Sequence, residues 1–446
     1  MLLRLSISFC LLLVGGCMSL PFFSPSQPDF GHLNLTVQTI IKYYEGLAHL
    51  FNNSRTLELF GDMLPLDSEV YMNASQLITS KGYPCEVHTV LTEDGFYLEM
   101  QRIPHGIKDN DMKKVRPVVF LQHGVLGSST NFLTNLANES LAYLLADAGY
   151  DVWLGNSRGT TYGLHHTLYP TSSDMFWRWS FDHMAAFDLP ASLDYVTKVT
   201  GQEKMYYVAH SQGSLIGFLA FSENQTLANK IKLMVALGPV YTVGHITSSV
   251  RFATVIDDKI LFDIFGRKSF LPENIIITTL AKTVCRCRRL NFLCQDAIRI
   301  VAKFDDRNMN SSRIPVYLTH SPAGTSTQNM AHFAQVRLQR NFRPVPENTS
   351  LSSEFSFYGT KADNLLHYGH PTPPAYNVSK LQIPVALYSG GRDSLADPKD
   401  VSLLAKLLKT NVTHVVIPQW AHLEFVWATD GWDTMYKQMI ELLRKY

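Results

Sequence analysis

Apolar and polar positions change period several times along this chain, and each change marks a predicted element. Val37, Ile40, Ile41, Tyr44, Leu47 and Phe51 recur at helical spacing, which predicts one amphipathic helix near the N-terminus. From about Gly82 onward, short β-rich runs alternate with helical runs, the pattern of a largely parallel sheet covered by helices on both faces. Thr92-Glu93-Asp94-Gly95 reads as a hairpin turn between two early strands. Val118 to Leu121 is a continuous apolar run suited to a strand buried on both faces, and Tyr150 to Leu154 is the next such strand. Asp188-Leu189-Pro190 predicts a helix start with a capping acid and an early proline. Met205 to Ala209 predicts a strand, and Ser214 to Phe221 resumes helical spacing.

The alternation fails between about Tyr241 and Asn377, where helical fragments, clustered cysteines and prolines replace strand and helix pairs. It returns at Pro384 to Tyr388 and Val415 to Ile417, and the chain closes on an amphipathic helix from Trp432 to Lys445. The expected fold class is therefore α/β: one core with a mostly parallel central sheet, split by an inserted, largely helical cap or lid. The boundaries read as 1–18 signal peptide, 19–70 N-terminal extension or pro-segment, 71–241 first part of the core, 242–377 cap, and 378–446 second part of the core. No internal repeat or low-complexity stretch interrupts this plan.

At 446 residues with 46% hydrophobic and 17% charged content, the chain can bury a sizeable core. Its 39 Lys and Arg against 38 Asp and Glu give no electrostatic reason to bind nucleic acid or an anionic membrane. Arg4, the apolar run Leu5 to Val14 and the small residues Gly15 and Gly16 read as a secretory signal, too short to span a bilayer, and no later run is long enough to do so. Nine N-x-Ser/Thr sequons, at Asn34, Asn52, Asn73, Asn138, Asn224, Asn310, Asn348, Asn377 and Asn411, fit passage through the secretory pathway. Their density also argues against reading Val14-Gly15-Gly16-Cys17 as a bacterial lipoprotein site. Once Cys10 and Cys17 leave with the signal, Cys85, Cys285, Cys287 and Cys294 remain. Cys285 and Cys294 are close enough to close a small loop, with Cys287 as the competing partner. Cys285-Arg286-Cys287 lacks the second ligand pair of a zinc site, so no metal is expected.

The segment Tyr206-Tyr207-Val208-Ala209-His210-Ser211-Gln212-Gly213-Ser214 sets a serine between a β-rich run and a helix, the context of a nucleophile elbow. Gly213 meets the demand for a small residue in a tight turn, while Ala209 carries one methyl more than the usual glycine. An acid and then a histidine must follow, each just past a late strand. Asp393 ends Leu387-Tyr388-Ser389-Gly390-Gly391-Arg392-Asp393, and His422 ends Val416-Ile417-Pro418-Gln419-Trp420-Ala421-His422. Ser211, Asp393 and His422 are thus the candidate nucleophile, orienting acid and base. Asp397, ahead of Pro398, reads instead as an N-cap, and Glu424 as solvated or bound to backbone. Oxyanion donors are expected from the backbone N–H of Gln212 and from Val125 in the loop Gln122-His123-Gly124-Val125-Leu126-Gly127, with His123 as a buried brace of that loop.

Phe120-Leu121-Gln122-His123-Gly124, Ala146 to Trp153, Gly155-Asn156-Ser157-Arg158-Gly159, Asp188-Leu189-Pro190-Ala191, the serine elbow, His320 to Ser326 and Ser389 to Asp393 together resemble the acid lipase family of gastric and lysosomal lipases. The resemblance runs from about Tyr71 to the C-terminus. It implies the α/β-hydrolase fold, the triad Ser211, Asp393 and His422, the oxyanion groups of Val125 and Gln212, a lid over the site and a Cys285–Cys294 disulfide. It also implies a secreted or lysosomal enzyme without cofactor, hydrolysing triacylglycerols or cholesteryl esters at a lipid–water interface through an acyl-enzyme. Ala209, Cys287 and the segment from Pro21 to about Asp67 depart from the family pattern. The residue pattern leaves open a thioesterase or peptidase, or a catalytically silent lipid-binding protein on the same fold, and leaves the oligomeric state open as well.

Overall fold

The computed structural model describes residues 65–109, 113–248, 265–273, 275–287, 290–342 and 376–446, with residues 63, 111, 262, 263, 365 and 369. The expected signal peptide, the helix from Val37 to Phe51 and the sequons at Asn34, Asn52 and Asn348 lie outside the described residues.

Eleven strands are described: β1 (Glu86–Leu91), β2 (Phe96–Ile103), β3 (Val118–Gln122), β4 (Asp151–Gly155), β5 (His165–His166), β6 (Met205–His210), β7 (Ile231–Leu237), β8 (Ser269–Phe270), β9 (Thr325–Ser326), β10 (Val385–Gly390) and β11 (Val412–Ile417). The main sheet runs β1-β2-β4-β3-β6-β7-β10-β11, with β5 added against β2. From β4 through β11 every pairing is parallel; β1 and β2 are antiparallel additions joined through the Thr92 to Gly95 turn.

Alternation within the strands explains why both faces are covered. On β3, Val119 and Leu121 enter one apolar cluster while Val118 and Phe120 enter the other. Tyr206 and Val208 of β6 follow the first pair, and Tyr207 and Ala209 the second. The first face is covered by α1 (Ala74–Ser80), α2 (Leu141–Asp147) and the C-terminal helix; the second by α3 (Leu189–Thr200) and α4 (Gln212–Glu223).

The expected helix start at Asp188 needs correction. The chain is already helical from Phe181 and passes through a π segment at Met184–Asp188, so Asp188 has helical dihedrals and caps nothing. Its buried carboxylate instead accepts from the Arg158 backbone N–H at 3.0 Å and from Arg158 Nε at 2.8 Å, while the other end of that guanidinium pairs with Asp94. An ion pair across 30 residues of sequence outranks the local capping rule here.

Between β7 and its sheet neighbour β10 the chain leaves the sheet. The insertion carries β8 paired antiparallel with β9, and helices α5 (Ile275–Thr283), α6 (Asn291–Ala302), α7 (Ile314–His320) and α8 (Thr327–Phe342). Cys285 and Cys294 are disulfide-bonded, joining the end of α5 to α6. Cys287 is buried beside them and pairs through its backbone with Met63. Ala281, Ala297, Ile314 and Tyr317 of the insertion share the first apolar cluster with Phe425 and Trp427 of the core, so the insertion is fastened through buried apolar surface. After β10 come α9 (Pro398–Leu407), β11 and α10 (Lys437–Leu443). No helix among the described residues is long and apolar enough to cross a membrane.

Candidate active site

Ser211 occupies the junction of β6 and α4 with φ 54° and ψ −122°, a left-handed backbone that costs a non-glycine residue of order 1–3 kcal/mol. The surroundings enforce it. Ser211 N–H donates to Leu237 O at 3.0 Å, and Ser214 Oγ donates to Ser211 O at 2.6 Å while accepting from Val240 N–H at 3.0 Å. A Cβ on Gly213 would lie 2.6 Å from Gln122 O and 2.7 Å from His123 O, so only glycine fits two residues after the serine. Ala209 stands two residues before it, fully buried, between Gln122 on β3 and Ala236 on β7.

His422 follows β11 and Asp393 follows β10. His422 Nε2 lies 2.8 Å from Ser211 Oγ, and Nδ1 lies 2.8 Å from Asp393 Oδ2. The other carboxylate oxygen of Asp393 accepts from the backbone N–H groups of Leu395 and Ala396, each at 2.8 Å. Burial opposes ionisation of Asp393, yet the attraction and hydrogen bond of His422, helped by those two N–H groups, hold its carboxyl below the usual range. Asp397, by contrast, caps α9 by accepting from Lys399 N–H at 2.9 Å.

The loop after β3 lies against the serine. A Cβ on Gly124 would sit 2.8 Å from Ser211 Cβ, and the next turn is pinned by Leu126 at φ 61°. Among the described residues, neither Val125 N–H nor Gln212 N–H donates to a protein acceptor, which leaves both for a ligand. His123 is buried: its Nε2 accepts from Ser157 N–H at 3.0 Å, so Nδ1 carries the proton toward Gly124 O at 2.8 Å. Burial pushes its pKa down to about 4. The serine opens into a cavity of about 230 Å³ walled by Ile277, Ile298, Val301, Leu318 and Trp427, most of them from the insertion.

One neighbour escaped the sequence reading. His210 is buried beside His422, ring centroids 4.7 Å apart, and its Nε2 donates to His422 O at 3.0 Å, fixing the main chain of the histidine loop. Burial and then the charge of His422 push its pKa down to about 3. A histidine flanking a serine gives no sequence sign of reaching a loop 212 residues on. Of the two readings of Glu424, solvated or bound to backbone, the structure bears out the second: it accepts from Ala421 N–H at 3.2 Å and from Asp305 N–H of the insertion at 2.7 Å, holding the loop from the other side.

Burial pushes the Glu424 carboxyl up to about 7, against the pull of those N–H groups. A carboxyl raised in the folded state contributes stability that is complete below its unfolded value, about 4.3, and is lost as pH rises through the folded value. Glu424→Gln cannot ionise. Its melting temperature relative to wild type is expected to rise with pH across that window, by an amount equivalent to about 3 to 4 kcal/mol, in a calorimetric series. A constant difference would contradict the assignment. His123 and His210 act with the opposite sign, since both stay neutral when folded and stability falls as pH drops below about 6.5.

Residues 117–429 match the family model described as the alpha/beta hydrolase fold, and residues 74–136 match a partial alpha/beta-hydrolase lipase region. Gastric triacylglycerol lipase of Homo sapiens is 46% identical over 86% of this chain and 94% of its own length. Lysosomal acid lipase/cholesteryl ester hydrolase of Homo sapiens is 45% identical over 86% of this chain and 94% of its own length. Gastric triacylglycerol lipase of Bos taurus is 44% identical over 84% and 92%.

Proposed function

The chain belongs to the α/β-hydrolase family, among the gastric and lysosomal acid lipases, and from that premise we propose that it is a serine lipase cleaving triacylglycerols and cholesteryl esters. One observation carries the reading: the Ser211 to His422 to Asp393 hydrogen-bond chain opens directly into an apolar cavity.

His422 Nε2 takes the Ser211 proton as Oγ attacks the ester carbonyl, and Asp393 supports the imidazolium that forms. The tetrahedral oxyanion is held by the N–H groups of Val125 and Gln212. Collapse breaks the ester C–O bond, and His422 gives its proton to the departing alcohol. Water then attacks the acyl-enzyme with His422 as base, releasing fatty acid and regenerating Ser211. The acyl chain lies among Ile277, Ile298, Val301 and Leu318, an environment that rewards a long alkyl group.

Residues 1–18 act as a signal peptide in this reading, residues 242–377 form the cap, and the enzyme works in the lysosome or outside the cell. Asn73, Asn138, Asn224 and Asn411 are exposed and Asn310 and Asn377 partly so, which suits glycosylation.

Fatty-acid release from emulsified triacylglycerol, from cholesteryl ester in micelles and from a short soluble ester tests the substrate class. Long-chain lipid esters are expected to give higher kcat/KM than the soluble ester. Hydrolysis confined to the soluble ester overturns the lipid preference, and cleavage of thioesters or amides in its place moves the enzyme to another acyl-transfer class.

A further inference from the structure

We propose that the stretch Ala323–Asn329 of the insertion sets the geometry of the oxyanion hole, with Asn329 as a positioning residue acting through Gln212. The proposal rests on the reading that Val125 and Gln212 supply the oxyanion donors, and it gives a function to the His320 to Ser326 motif that the triad leaves unexplained.

The Gln212 backbone N–H has no protein acceptor among the described residues, and its side chain lies in a buried polar network. There Gln212 Oε1 accepts from Asn329 Nδ2 at 2.7 Å, and Gln212 Nε2 rests on Met184 Sδ at 3.4 Å. Asn329 is fully buried, and its amide has one permitted orientation. Phe181 N–H donates to it at 2.8 Å, so the atom facing Phe181 is the oxygen and the NH₂ group must face Gln212 and Thr325 Oγ1, the latter at 3.1 Å. Asn329 itself is fixed by its N–H to Ser326 Oγ at 2.9 Å, and that hydroxyl donates to Trp179 O at 2.6 Å. Each polar group in the chain is satisfied, which is the condition under which a buried network holds a single geometry.

The second oxyanion residue is tied to the same stretch. Ala323 N–H donates to Leu126 O at 2.7 Å, and Ala323 O accepts from Thr161 N–H at 3.1 Å. Leu126 holds φ 61° directly after Val125, and Ser211 holds φ 54° directly before Gln212. Strained residues keep their conformation only where their surroundings over-determine them. Here Ala323 and Asn329, six positions apart, restrain the strained loops on both sides of the hole. The catalytic core therefore depends on the insertion for the aim of its oxyanion donors as well as for the walls of its cavity.

Asn329→Leu keeps the volume and removes the amide. Its kcat is expected to fall about 10- to 100-fold with KM held within about two-fold, because a misaimed donor is felt in the transition state and hardly in the ground state. Affinity for a boronic acid that forms a tetrahedral adduct on Ser211 should fall by the same factor, while affinity for a free fatty acid stays put. Gln212→Leu, which leaves Asn329 and the backbone donor in place, should show the same split, and the double variant should lose no more than either single one. If Asn329→Leu does not fold, Gln212→Leu alone carries the test. Wild-type kcat in a folded variant, or an equal loss of kcat, boronate and fatty-acid affinity, overturns the positioning role. Wild-type enzyme without any ester hydrolysis overturns the lipase reading, and this proposal falls with it.

Discussion

Ser211→Ala is expected to lower kcat by about a million-fold while leaving KM and the melting temperature near wild type. The substitution removes only the attacking oxygen. Alanine meets the same steric cost at φ 54° as serine, so the elbow keeps its strain and its three backbone-anchoring bonds, to Leu237, Ser214 and Val240, remain. What survives should be the rate that the oxyanion donors and the cavity supply unaided, about a thousand-fold or more above water. A covalent phosphonate titrates the wild-type serine and should leave the variant unlabelled. Retention of more than about a tenth of kcat would move the nucleophile elsewhere, and no other serine is placed against His422 among the described residues.

The parts of this molecule that were legible from sequence are those written locally. Val118 to Leu121 announced a strand buried on both faces because neighbouring apolar residues serve opposite faces of one sheet. Ser211, Asp393 and His422 were legible by their order and by the strand ends that carry them, and the structure brings their polar atoms to hydrogen-bonding distance. The distant partners of the supporting residues were not legible. Glu424 meets Asp305 across 119 residues, and Asn329 meets Gln212 across 117. No periodicity or short motif encodes a bond of that span. Asp188 was misread for the same reason: its sequence neighbours satisfy the capping rule, while its carboxylate is claimed by Arg158. In the insertion, the two-residue strands β8 and β9 are too short for any pattern to register, although they place Thr325 and Ser326 beside Asn329.

Asp393→Asn should cost about four orders of magnitude in kcat, and the structure dictates how. The backbone N–H groups of Leu395 and Ala396 both donate to Asp393 Oδ1, so in the asparagine variant the carbonyl oxygen must occupy that position. The NH₂ group then faces His422 Nδ1, which can accept only when it carries no proton. The imidazole is driven into the Nε2–H tautomer and cannot take the proton of Ser211. KM should change little, since the cavity walls are untouched, and ¹⁵N NMR of the His422 ring should report the protonated nitrogen moving from Nδ1 to Nε2. Asp393 also contributes stability with its own sign: its carboxyl is held below the usual range when folded, so that contribution is present above the unfolded value of about 3.9 and is lost as pH falls through the folded one. The variant should therefore be less stable than wild type at neutral pH, with the gap closing in strong acid. A variant retaining more than about a tenth of kcat would require another acid to orient His422. The two nearest in sequence are already occupied, Asp397 with Lys399 N–H and Glu424 with Ala421 N–H and Asp305 N–H.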